Sequence, residues 1–189
     1  MRAHGRFSYG ETADPSAPIY YVETGKFGGS GLDKDYAKWN FDFYVAVLDN
    51  NNNLVQTSGL FGLKLLYDFD PGASTDESGH GVLQGAVPAL NGSNVVNPVQ
   101  DSWNLAMSFL ATDNPLPYID APSVAFNPNV NGEYTFRLSI FDLSTNTELG
   151  AVSMKVNAVP EPASMVALGG LGLVGAGWGF VRRRKRAKV

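Results

Sequence analysis

The sequence predicts an all-β domain, an antiparallel β-sandwich of immunoglobulin-like or jelly-roll-like type, followed by a single C-terminal transmembrane helix. Three observations carry this. Short segments alternate apolar and polar residues with period two, and clusters of Asn, Asp, Gly and Ser separate them. No segment before Ala163 keeps a helical period over three turns. From Ala163 to Val181 the chain then carries no charge and ends in a basic cluster.

Taken in order, residues 1–17 are polar, aperiodic and Pro-containing, and read as an irregular N-terminal segment. Ile19 to Thr24 is a short strand that opens a domain expected over 18–158. Gly25 to Lys38 is a connection. Its Gly28-Gly29-Ser30-Gly31 has neither the Lys-Ser/Thr nor the helix start that a phosphate-binding loop needs. Trp39 to Leu48 is the clearest strand, with Trp39, Phe41, Phe43, Val45 and Val47 on one face and Asn40, Asp42 and Tyr44 on the other. Asp49 to Asn53 supplies turn-tolerant residues and should close a hairpin, with the return strand over Leu60 to Phe69. There Leu63, Leu65, Tyr67 and Phe69 face inward, and Lys64 and Asp68 outward.

Asp70 to Gly81 is a polar loop. Val82 to Leu90 and Asn94 to Val99 are weaker strands about an Asn91-Gly92 turn. Trp103 to Phe109 alternates again, with Asn104 and Ser108 outward. Asp113 to Asn131 is Pro-rich and reads as a long surface loop. Tyr134, Phe136, Leu138 and Ile140 form the first arm of a closing hairpin. Ser144 to Thr147 turns, and Val152, Met154 and Val156 return inward.

The last 31 residues hold three signals in tandem. Val159, Pro160, Glu161 and Pro162 begin a motif over 159–164; two prolines around a glutamate keep it extended and accessible. About 19 uncharged residues follow, spanning about 28 Å as a helix. That approaches the thickness of a bilayer core, so a membrane helix is expected over 165–181. The tail over 182–189 carries Arg182, Arg183, Arg184, Lys185, Arg186 and Lys188, which stop transfer and stay cytoplasmic. Everything before Val159 should then lie outside. Gly175-Ala176-Gly177-Trp178-Gly179 offers the small-residue spacing of close helix contacts.

This order of motif, helix and basic cluster resembles the PEP-CTERM sorting signal of exported proteins in Gram-negative bacteria that make extracellular polysaccharide. The resemblance rests on Pro160, Glu161 and Pro162, with Val159 before them. It implies that exosortase, a membrane-embedded transpeptidase, is the partner that releases the protein from its helix. The inner membrane would be the first location, N-terminus out, and the cell surface or matrix the last. More loosely, Trp39 to Phe43, Ser102 to Leu105 and Asn131 to Phe136 resemble the bodies of other PEP-CTERM exported proteins, which brings no activity with it.

Composition narrows the function. Six of the 14 basic residues lie in the tail, which leaves eight against 18 acidic residues, a charge of −10 for the rest. Such a domain is a poor nucleic-acid binder. With no cysteine it has neither disulfides nor thiol chemistry.

Chemical candidates are few. His4 and His80 are the only histidines; His80 sits in a Gly-rich loop with no hydrolase motif around it, and reads as solvated. Asp68, Asp70, Asp76 and Glu77 offer hard oxygens to calcium, yet Gly72, Ala73 and Gly79 stand where an EF-hand needs a ligand, a glycine and a glutamate. A plain acidic loop without cofactor is the preferred reading. Asp42 and Asp68 would need to face each other across a cleft to act as a glycosidase pair. Tyr20, Tyr44 and Tyr118 are candidates for stacking on sugar rings.

The expectation is a non-enzymatic cell-surface or extracellular-matrix protein associated with exopolysaccharide. A carbohydrate-binding module is the alternative, and a secreted hydrolase the remote one. Export also calls for an N-terminal signal with a basic start and an apolar run, which Met1 to Gly10 does not supply. An in-frame upstream extension encoding one is expected. A stop codon directly upstream, with no alternative start, would contradict it.

Overall fold

Alternation along Trp39–Val45 (strand β3) buries Trp39, Phe41 and Phe43 and turns Asn40, Asp42 and Tyr44 away from the core. The computed structural model describes residues 1–5, 18–31, 34–54, 60–86, 99–115 and 118–160. Met1–Val159 form one compact unit; of the second, Pro160–Val189, only Pro160 is described.

In the first unit β3 lies between β1 (Arg2–Gly5) and β6 (Val99–Trp103), antiparallel to both. The remaining strands are β2 (Ile19–Glu23), β4 (Phe61–Tyr67), β5 (Gly81–Ala86), β7 (Asn114–Pro115), β8 (Tyr118–Asp120), β9 (Gly132–Asp142) and β10 (Thr147–Val159). They form one seven-stranded sheet in the order β2-β10-β9-β4-β5-β8-β7. Among the described residues the domain is all-β, with two short 3-10 turns at Glu77–Gly79 and Ser108–Ala111.

The two sheets share one core. Phe41 lies 4.7 Å from Phe136 between ring centroids, and Trp39 packs on Tyr134 at 5.8 Å and edge-on to Phe136 at 6.4 Å. Leu63, Leu65 and Tyr67 from β4, Leu83 from β5, Ile119 from β8 and Met154 and Val156 from β10 complete it. Burial raises the Tyr67 phenol well above its ordinary pKa and that of Tyr134 to about 12. Both hydroxyls therefore stay protonated; they donate to the Leu110 and Val130 carbonyls.

Several expectations need correction. Arg2–Gly5, read as irregular, pairs with β3. The Asp49 to Asn53 turn forms, with Asn52 at φ 63° and a Leu48–Leu54 bridge, but no β3–β4 hairpin follows. Both edges of β3 are already taken, and β4 crosses to the other sheet between β9 and β5. Alternation reports which face is buried, not which strand lies alongside. The sheets are not wholly antiparallel either, since β2 runs parallel to β10.

The strand expected over Trp103 to Phe109 stops at Trp103. Asn104 turns inward to full burial, where its side-chain amide bridges four residues. Its two Nδ2 protons are shared among the Ala37 and Trp39 carbonyls and Asn40 Oδ1, and its Oδ1 accepts from the Ala37 and Ala106 amides. Val152 is 45% exposed, because β10 is solvent-facing from Thr147 to Ser153 and becomes buried only from Met154. The Asp113 to Asn131 segment is no simple surface loop: Ile119 is buried, and Phe126 packs on Trp39 and Phe69. The expected Asn91-Gly92 turn lies outside the described residues.

Trp39→Ala should cost about 3–5 kcal/mol in chemical denaturation, because it empties the junction of the sheets. Asn104→Ala should cost at least about 2 kcal/mol by stranding buried backbone partners. A loss below about 1 kcal/mol for either would contradict the packing described.

Candidate functional site

Three regions carry polar chemistry. The first joins the Asp70 to Gly81 loop to β9. Asp68, expected to face solvent, is buried, and so is His80. Their side chains are 2% and 3% exposed, with Asp68 Oδ2 at 3.5 Å from His80 Nε2. The Thr75 hydroxyl lies in a short hydrogen bond with Asp68 Oδ2 and 3.2 Å from His80 Nε2; Thr135 Oγ1 is also 3.2 Å from that nitrogen. Carboxylate and both hydroxyls thus crowd one ring nitrogen. A nucleophile relay needs the acid on one imidazole nitrogen and the hydroxyl on the other. The cluster instead ties the loop to the sheet, a role that spacing alone could not reveal.

The acidic residues weighed for calcium mostly serve their own backbone. Asp68 Oδ1 accepts from the Asp70 amide, Asp70 Oδ1 from Gly72, and Asp76 Oδ1 from Ser78 at the start of the 3-10 turn. Glu77 is exposed. Among the described residues no three His, Asp or Glu side chains are grouped to hold a metal ion. Asp42 lies on β3 of the three-stranded sheet and Asp68 follows directly after β4 of the other, so they are not cross-strand neighbours.

Glu133, which sequence reasoning did not single out, braces the same loop. It accepts from Lys155 Nζ at 2.9 Å and from the Ser74 amide at 3.1 Å, and these bonds hold its carboxyl below its ordinary pKa of 4.5. Beside it a Cβ on Gly132 would collide with Pro71, so glycine lets the loop close on the hairpin.

The second region is a cleft of about 780 Å³ on the outer face of the three-stranded sheet. Arg2, Asp42, Tyr44, Gln100 and Ser102 line it, and Tyr20 walls it from β2. Two of the three tyrosines proposed for stacking therefore meet here. Tyr118 lies on β8, a strand of the other sheet that does not line the cleft.

The third region is the end of the domain. Val159 closes β10, and its carbonyl accepts from both the amide and the hydroxyl of Thr24. Pro160 follows directly. Glu161, Pro162, the helix expected over 165–181 and the basic residues from Arg182 to Lys188 lie outside the described residues. Among the described residues no helix is long and apolar enough to cross a membrane.

The Glu133 brace predicts an acid dependence. A carboxyl held below its unfolded pKa contributes stability above that value and loses it as the pH falls through the folded one. Glu133→Gln should cost about 1 kcal/mol or less at pH 7, since Lys155 faces solvent. The gap from the parent should close as the pH drops below 4.5. Urea denaturation at pH 7 and pH 3 measures both, and an unchanged gap would contradict the assignment.

Comparison with known proteins adds one match. The family model for the PEP-CTERM protein-sorting motif covers residues 158–185. No curated protein and no solved structure matches the chain. The match begins inside the last two residues of β10 and runs into the basic cluster, so the tandem signals and the family model coincide. The chain carries a PEP-CTERM protein-sorting motif at its C-terminal end.

Proposed function

We propose that this protein is an exported substrate of an exosortase-type transpeptidase, anchored in the inner membrane by its C-terminal helix and then released to the cell surface or matrix. The match over 158–185 carries the reading, since it joins the Pro-Glu-Pro motif to the apolar run and the arginine cluster in one signal. The helix orientation follows from Arg182 to Lys188, which hold the C-terminal side in the cytoplasm. Pro160, Glu161 and Pro162 then stand on the outer side, where a membrane enzyme can read an extended, anionic tripeptide without unfolding a strand.

The folded domain we read as a two-layer β-sandwich with a non-enzymatic role in the surface layer. The crowding of Asp68, Thr75 and Thr135 on one nitrogen of His80 supports this. The acidic balance of the chain outside the tail suits a soluble, displayed domain more than one that adheres to anionic lipid.

In an exosortase-bearing host the mature protein should lack the helix and the cluster from Arg182 to Lys188. Glu161→Ala should leave the full-length form in the inner membrane, while Asp76→Asn in the loop should be processed normally. Mass spectrometry of extracellular and membrane fractions reads the outcome. An intact Val189 terminus on extracellular protein would overturn the reading.

A further inference from the structure

We propose that the cleft on the outer face of the three-stranded sheet is a binding site for a neutral oligosaccharide. It is built from the register of three strands. Asp42 stands between Arg2 of β1 and Ser102 of β6, and Tyr44 stands beside Gln100. One carboxylate, one guanidinium, one amide and one hydroxyl thus form a grid at fixed strand spacing, with an aromatic ring at its end. Sugar hydroxyls donate and accept at once, and such a grid offers partners of both kinds.

The ring is unusual for its place. Tyr44 is 58% exposed on the central strand of its sheet, among polar neighbours. A solvent-facing ring on a rigid strand gives a flat apolar platform for the C–H face of a pyranose. Tyr20 closes the other side of the cleft, held through its hydroxyl to the Met1 carbonyl. The volume of about 780 Å³ falls in the small-ligand range and admits one or two sugar rings.

Asp42 and Ser102 are held before any ligand arrives. Arg2 Nε reaches Asp42 Oδ2 at 2.7 Å, and Asn40 Nδ2 donates to Ser102 Oγ at 3.3 Å. Asp101, at the rim, accepts from the Ser102 amide at 2.7 Å. Preorganised groups reduce the ordering cost of binding. Charge selects the ligand class: the lining carries one guanidinium, Arg2, against two carboxylates, Asp42 and Asp101, in a domain that is acidic as a whole. An anionic sugar, a nucleotide or a phosphate is disfavoured there, and an apolar ligand would leave the grid unpaired. A neutral polyhydroxylated chain satisfies both conditions.

The proposal does not depend on how the protein is sorted, so its test needs no processing enzyme. The full chain would be held in a zwitterionic detergent, which avoids sugar headgroups. It would be titrated calorimetrically with neutral di- to tetrasaccharides of glucose, galactose and mannose, and with oligogalacturonate as the acidic counterpart. Saturable binding of at least one neutral oligosaccharide is expected. Tyr44→Ala should weaken it tenfold or more, with Tyr44→Phe close to the parent and Asp42→Asn also weakened. Tyr118→Ala, an exposed tyrosine on another strand, should leave the affinity unchanged and controls for non-specific stacking. Circular dichroism confirms that each variant is folded. No saturable binding of any neutral probe at millimolar concentration overturns the proposal. So does binding that survives Tyr44→Ala, a preference for the acidic oligosaccharide, or sedimentation showing the Tyr44 face buried in a dimer.

Discussion

The contact of Phe41 and Trp39 with Phe136 and Tyr134 holds the two sheets to one another, and the rest of the domain is arranged around it. Neither sheet is stable alone. Three strands with one apolar face need a cover, and the larger sheet exposes Leu63, Leu65, Phe136 and Leu138 to water unless another layer lies on them. The rings cross the gap in tilted and edge-on pairs, with Phe126 adding a further edge from the β8–β9 connection. Four aromatic residues at the junction bury much apolar area and allow few alternative packings. This explains why the outer face of β3 is free to carry polar groups: its inner face already supplies the stability.

How much of this was legible depends on the kind of information each residue carries. Trp39, Phe41, Phe43, Tyr134, Phe136, Met154 and Val156 announce their burial through period two, which is a local property of the strand. Asn52 and Asn146 hold their turns at φ 63° and 53°, the left-handed conformation that asparagine tolerates. Sheet membership was not legible, because β3 and β4 differ in partner and not in pattern. Asn104 was misread for a related reason. A polar residue at an outward parity looks solvated, yet a chain reversal after Trp103 turns its amide inward onto the backbone of Ala37 and Trp39. The signal that could have flagged it is the break itself: Ala106 and Ser108 have weak strand preference, and an Asn at the end of a strand readily caps a turn.

The same limit governs His80 and Asp68. Their burial arises from where a twelve-residue loop happens to fold back, and nothing in Ser78-Gly79-His80-Gly81 states that Thr135, far along the chain, will meet the imidazole. The tie is physical all the same. Asp68 directly follows β4, Thr135 belongs to β9, and the Asp68 amide donates to the Thr135 carbonyl at 3.1 Å. Backbone pairing brings the two residues together, and the side chains then enclose the histidine. Removing any one member would leave a largely buried polar group short of a partner, so the cluster acts as a unit.

The boundary between the domain and its sorting motif has a simple stereochemical cause. β10 pairs with β9 on one side and runs parallel to β2 on the other, and this second pairing lasts until Val159 meets Glu23. Thr24 then caps the ladder with two donors to the Val159 carbonyl. The next residue is Pro160, which has no amide hydrogen to offer either neighbour, so the sheet cannot extend by even one more residue. Val159 is therefore both the last rung of the fold and the first residue of the motif over 159–164. No spacer residue separates the two, and the same proline that begins the recognition sequence ends the strand. A chain with Ala in place of Pro160 would gain an amide able to continue the parallel ladder. One residue thus sets the point at which β10 stops.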